Sequence, residues 1–154
     1  MKTREKWLWL FAALSVMIMG FAFFQSFQSR EASSQISGAW LTWIRSAFGL
    51  SGMEEETLHR IIRKAAHFAE FAALGITVGG FAVNLGYLHH RKYIALPAWL
   101  TLLTAVFDEF IQNFSGRGSM VTDVLLDYSG SLFGFALVAL YLHLKNRNFK
   151  EKQE

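Results

Sequence analysis

Three stretches of this chain carry ionisable side chains inside apolar surroundings, and within each stretch they recur at helical spacing. In the first, Arg63, His67 and Glu70 stand at i, i+4 and i+7, with Lys64 beside them. In the second, Thr101, Thr104, Asp108 and Gln112 share a face, and Glu109 projects roughly 100° away from Asp108. In the third, Asp123, Asp127, Gly130 and Gly134 form a single stripe. Its glycines admit a neighbouring helix, so the carboxylates of that stripe must face protein rather than lipid.

An imidazole among carboxylates and guanidinium groups opens several chemistries. His67 could serve as general base or nucleophile, tuned by Glu70 or Asp108, with Arg63 and Arg117 stabilising a phosphoryl group. His67, Glu70, Asp108 and Asp127 could instead hold a divalent metal, whose charge would offset the excess acid. A metal set with one histidine and otherwise hard oxygen donors is unusual, and no other cofactor is expected. Arg63, Lys64 and Arg117 could bind phosphate or carboxylate groups through paired donors, with Glu109, Gln112, Asp123 and Asp127 lining the same ligand site. A purely structural polar network competes with all of these. Taken alone, His67 reads as a packing histidine, Asp123 as a helix N-terminal charge, and the Gly130/Gly134 and Gly75/Gly79 pairs as close-packing devices.

The elements that would position these groups are membrane spans. The chain has 154 residues, enough for one domain, and 53% of them are hydrophobic. Apolar residues cluster into four runs near bilayer length, about 7–24, 64–88, 93–114 and 121–144. The predicted class is therefore all-α, a polytopic membrane protein built as a four-transmembrane-helix bundle in one domain over 1–154. The first run follows Lys2, Arg4 and Lys6 as a signal peptide would, but it is long and bulky and no Ala-x-Ala site follows, so it is read as an uncleaved span. Short links at 89–92 and 115–120 make successive helices antiparallel, and Pro97 falls in the first turns of the third, where it costs little. With no cysteine there is neither a disulfide framework nor a thiolate site. The net charge of +3 comes from basic residues flanking apolar runs, which argues for topology signals and against nucleic acid.

Nine basic residues fall on the N-terminal side of the membrane and six on the other, so both termini are expected in the cytoplasm. The long outer loop, 25–63, contains Ile36, Trp40, Trp43, Ile44, Ala47 and Phe48 at helical spacing, which predicts an amphipathic helix in the interface or packed on the spans. Ser51 and Glu54 make a capping-box pattern, so the second helix should begin near residue 52. At ~1.5 Å rise per residue, Glu70, Asp108 and Asp127 each lie roughly 9 Å inside the outer end of their own helix. Buried charges at that depth cost ~2.5–3.5 kcal/mol each on insertion scales and require partners.

The segment Arg63-Lys64-Ala65-Ala66-His67-Phe68-Ala69-Glu70-Phe71 with Leu74-Gly75 resembles the first signature of the VanZ-like membrane proteins. A second signature, an Asp-Glu-x-x-Gln turn, a loop arginine and an Asp before a Gly-rich span, is matched by Asp108-Glu109-Phe110-Ile111-Gln112, Arg117, Asp123, Gly130 and Gly134. Where many relatives resemble Asp-Val-Leu-Leu-Asn, this chain ends the same motif in Asp127, which adds negative charge. The resemblance implies a bacterial cytoplasmic-membrane protein, and its founding member is associated with resistance to the glycopeptide teicoplanin. The leading expectation is an envelope protein binding a lipid-linked or amphipathic anion at the outer leaflet, such as a cell-wall precursor or a lipoglycopeptide, amid membrane lipids. An intramembrane enzyme ranks second. Proton-coupled transport ranks third, because the inner halves of the helices are almost entirely apolar.

Overall fold

A computed structural model describes residues 2–27, 46, 52, 54–90, 92–114, 118 and 120–150. Four helices follow one another: α1 (Lys2–Phe27), α2 (Glu55–His89), α3 (Ala95–Phe114) and α4 (Val121–Lys150). There is no strand among the described residues. Three helices, α1, α2 and Val121–Arg147 of α4, are long and apolar enough to cross a membrane. The 20-residue α3 is not among these three, and its last two turns carry Asp108, Glu109, Gln112 and Asn113.

α1, α2 and α4 run beyond their apolar runs, whereas α3 begins two residues inside its own run and ends with it. The start of α2 lies three residues later than the capping box suggested. Glu54 occupies the N-cap position without a side-chain cap, its carbonyl accepting from Leu58 N–H at 3.1 Å, and Glu55 and Glu56 supply the favourable charge of the first turn. At the other end, His90 terminates α2 in the left-handed conformation (φ 53°) and returns its N–H to the Gly86 carbonyl. The expected interfacial helix around 36–48 lies outside the described residues, apart from Ser46.

α2 is the central element and packs on all three others. α3 touches α1 and α4 as well, whereas α1 and α4 flank α2 without packing on one another. The α2–α4 seam is close because of glycine. A Cβ on Gly130 would sit 2.5 Å from the Phe68 carbonyl oxygen, and Cβ atoms on Gly134 and Gly75 would strike the backbones of Ala72 and Ser131. Side chains there would hold the helices apart. Along the seam Ser131 also donates to the Phe71 carbonyl at 3.2 Å. Phe71, Leu74, Val78 and Ala105 form the buried apolar core. Trp9, Val16, Met17, Ile94, Trp99 and Val121 point outward, as lipid-facing residues do.

The polar face of α3 is buried as its periodicity predicts. Thr101, Thr104, Asp108 and Gln112 are all inside. The two threonines return their hydroxyls to the carbonyls of Pro97 (2.9 Å) and Leu100 (2.8 Å), so neither is left unsatisfied away from water.

Candidate functional site

The antiparallel course of the chain brings the C-terminal ends of α1 and α3 to the N-terminal ends of α2 and α4. The described residues of the predicted polar site therefore collect at one end of the molecule. At its centre stand His67 of α2, Asp108 of α3 and Asp127 of α4, whose candidate ligand atoms all lie within 4.8 Å of one another. His67 Nδ1 is 3.9 Å from Asp108 Oδ2 and 3.9 Å from Asp127 Oδ1. Asp108 and Asp127 are 0% and 1% exposed.

Asp108 is held from two sides. Ser26 donates to its Oδ1 at 2.6 Å and Gln112 donates to its Oδ2 at 2.8 Å. Each carboxylate oxygen keeps a lone pair, so the bonds orient the group without exhausting it. Asp127 is supported differently: its Oδ2 is buried and has no hydrogen-bond partner among the described residues. A buried polar atom in that state carries a desolvation cost of about 1–3 kcal/mol, more if charged, and calls for an explanation.

Above this triad a narrow cleft is lined by Arg63, Lys64, Glu109 and Asp123, with His67, Gln112, Leu126 and Asp127 toward its base. Lys64 bridges to Asp123 at 2.6 Å, linking α2 to α4 at the mouth. Glu109 accepts the Met120 N–H at 3.2 Å. The Met120 carbonyl in turn starts α4 by accepting from Asp123 N–H at 2.9 Å. The turn before α4 is thus fastened to the last turns of α3. The cleft has room for little more than one water-sized group, about 10 Å³.

Nine of the ten predicted site residues are described, and eight of them meet at this cleft or at its base. The exception is Glu70. It belongs to the same helix face as His67, but it is engaged by the side-chain amide of Gln25 from α1 and stands apart from the His67–Asp108–Asp127 group. Arg117 lies outside the described residues. Sequence reasoning missed Gln25 and Ser26, which it assigned to the outer loop. Both belong to the last turn of α1, and Ser26 is fully buried against Asp108. A pair of polar residues ending an unbroken apolar run was the available signal.

The site therefore has the parts of a cation-binding group, an imidazole with two buried carboxylates, beneath a mouth bearing two cationic side chains. No curated protein and no solved structure gives a significant match to this chain. The VanZ/LLP1 family model matches residues 11–142, a stretch that takes in every residue of the polar site, and the chain accordingly belongs to the VanZ/LLP1 family.

Proposed function

We propose that this membrane protein of the VanZ/LLP1 family binds an anionic amphiphile at the outer leaflet, and that a divalent cation held by His67, Asp108 and Asp127 forms the base of the site. In this reading all four helices span the bilayer, both termini are cytoplasmic, and the cleft opens outward. The observation that carries it is the buried Asp127 carboxylate, which has one oxygen without a hydrogen-bond partner and faces an imidazole and a second carboxylate. The described acids at the site, Asp108, Glu109, Asp123 and Asp127, outnumber the cations Arg63 and Lys64, and Lys64 is already paired. An anion entering alone would meet net negative charge; one bridged to a cation would not.

One imidazole with two carboxylates suits a first-row ion such as Mn²⁺ or Zn²⁺ better than Mg²⁺ or Ca²⁺. Bonds of ~2.1 Å require donors roughly 3.4 Å apart, so the present spacing of up to 4.8 Å would have to tighten by about 1.4 Å on binding. Ser26 and Gln112 would then serve as the outer hydrogen bonds that orient a ligating carboxylate. Arg63 and Lys64 remain at the mouth to take phosphate or carboxylate oxygens.

The test is metal analysis of protein extracted in mild detergent and equilibrated with Mn²⁺ or Zn²⁺. About one equivalent is expected, falling at least tenfold in Asp127→Asn with the helical content intact. Wild-type protein that stays metal-free under saturating ion would refute the cation. For the mouth, dodecyl phosphate is the probe, and Lys64→Glu or Arg117→Glu should weaken its binding; unchanged binding in both would refute the anion.

A second reading, an enzyme acting on a phosphorylated or lipid substrate, is favoured by the placement of His67 Nδ1 between two carboxylates, which would orient it as a base. It predicts release of inorganic phosphate from dodecyl phosphate, abolished in His67→Ala. A teicoplanin or lipoglycopeptide phenotype is the corresponding expectation in cells, measured as a change in drug susceptibility on deletion.

A further inference from the structure

The opposite end of the molecule holds a cavity of a different kind. Because α1 and α4 flank α2 without touching, a groove remains between them, floored by α2 and lined by no residue of α3. Its volume is about 630 Å³, the size of a site for a substantial organic ligand.

All three walls change character in the same direction. Moving outward along α1, Phe11 gives way to Trp7 and then Arg4; along α4, Val138 gives way to Tyr141 and then Lys145. On α2 the floor passes from Ile76 to Asn84 and Tyr87. The groove is therefore apolar at depth, aromatic at the level of an interface and basic at its mouth. Among the described residues, no aspartate or glutamate lines it.

Basic residues at the ends of spans commonly do no more than set topology. Arg4 is more tightly placed than that. Its guanidinium lies 4.1 Å from the centre of the Tyr87 ring and donates to Asn84 Oδ1 at 3.4 Å. Asn84 is buried and anchored in turn to the Gly80 carbonyl at 2.8 Å. Lys145 lies 5.9 Å from the Tyr141 ring on the facing wall.

We propose that this groove binds a phospholipid with an anionic headgroup, its acyl chain lying between α1 and α4 and its phosphate between Arg4 and Lys145. The complementarity is double: a long apolar trough for the chain, and two cations without a carboxylate for the headgroup. The site is separate from the acidic cleft and does not depend on what that cleft binds.

The experiment uses the full chain reconstituted in phosphatidylcholine, with brominated phosphatidylglycerol or brominated phosphatidylcholine added at equal mole fraction. Bromine in the groove quenches Trp7, and a Trp7→Phe variant isolates its share of the signal from the other tryptophans. The expected result is half-quenching at a lower mole fraction of the phosphatidylglycerol, by about fivefold for each cation engaged. Arg4→Gln and Lys145→Gln should each remove about fivefold of that preference, and Val83→Phe, which fills the trough, should remove the Trp7 signal for both lipids. Equal quenching by the two lipids in the wild type overturns the proposal. So does a dimer that dissociates in Val83→Phe, because the groove would then be an interface between copies of this chain.

Discussion

Replacing Gly130 by alanine tests whether the α2–α4 seam sets the geometry of the acidic site. The new methyl carbon would lie 2.5 Å from the Phe68 carbonyl oxygen and 3.3 Å from the Ala72 nitrogen. Carbon and oxygen approach no closer than roughly 3.3 Å without strain, so the backbone of α2 must retreat by about 0.8 Å. That backbone cannot give as a side-chain tip would. Overpacking of this kind costs ~1–3 kcal/mol, partly offset by up to ~1 kcal/mol from the better helix propensity of alanine. Gly20→Ala provides the reference, since a Cβ there meets nothing within 4 Å and receives only the propensity gain. The difference between the two variants should be ~1–3 kcal/mol in reversible unfolding in mixed micelles, followed by far-ultraviolet circular dichroism. The second consequence is local. Phe68 follows His67 directly and Gly130 lies one turn after Asp127, so the retreat opens the 3.9 Å separation of His67 and Asp127. Mn²⁺ or Zn²⁺ affinity should fall at least tenfold in Gly130→Ala and stay unchanged in Gly20→Ala. If Gly130→Ala proved as stable as Gly20→Ala and bound metal equally well, the claim that this seam positions the site would be wrong.

Further expectations concern single contacts. Ser26→Ala removes one of two hydrogen bonds to Asp108 and should cost ~0.6 kcal/mol, and no more than ~1.7 kcal/mol, by the same unfolding assay, the average and the upper limit for polar contacts between membrane helices. Lys64→Met breaks the partly exposed bridge to Asp123, so stability should change by less than ~1 kcal/mol while dodecyl phosphate affinity falls, as titration calorimetry would detect. His90→Gly relieves a left-handed residue at the end of α2 and should raise stability by ~1 kcal/mol, visible as a higher thermal midpoint.

Much of the site was legible before any coordinates. Helical period placed His67 on one face of α2 and Asp127 with Gly130 on one stripe of α4, and close packing requires that stripe to face protein. Depth arithmetic put Asp108 and Asp127 at one level, and in the structure they stand beside the same imidazole. Glu70 shows the limit of such reasoning. Its level was legible, but a face of a helix spans two neighbours, and which of them a long side chain meets depends on where those neighbours stand. Here Gln25 of α1 takes it. Local capping was also less certain than pattern suggested, since the helix begins at Glu55 without a side-chain cap.

The sequence by itself determined that this protein is helical, rich in spans, and furnished with buried charge near one end of those spans. Those properties follow from the length and period of apolar runs, which are local. It also marked the Gly130/Gly134 stripe as one that admits a neighbouring helix; that this neighbour is α2 came from the structure. The role of α1 came from tertiary structure alone. Its apolar residues surround the helix without a dominant face, so nothing in its pattern shows which side meets protein. Only the packed molecule shows Ser26 reaching Asp108 at one end of α1 and Arg4 closing over Tyr87 at the other. The acidic cleft and the basic groove both depend on that placement, which arises from contacts between residues some eighty positions apart.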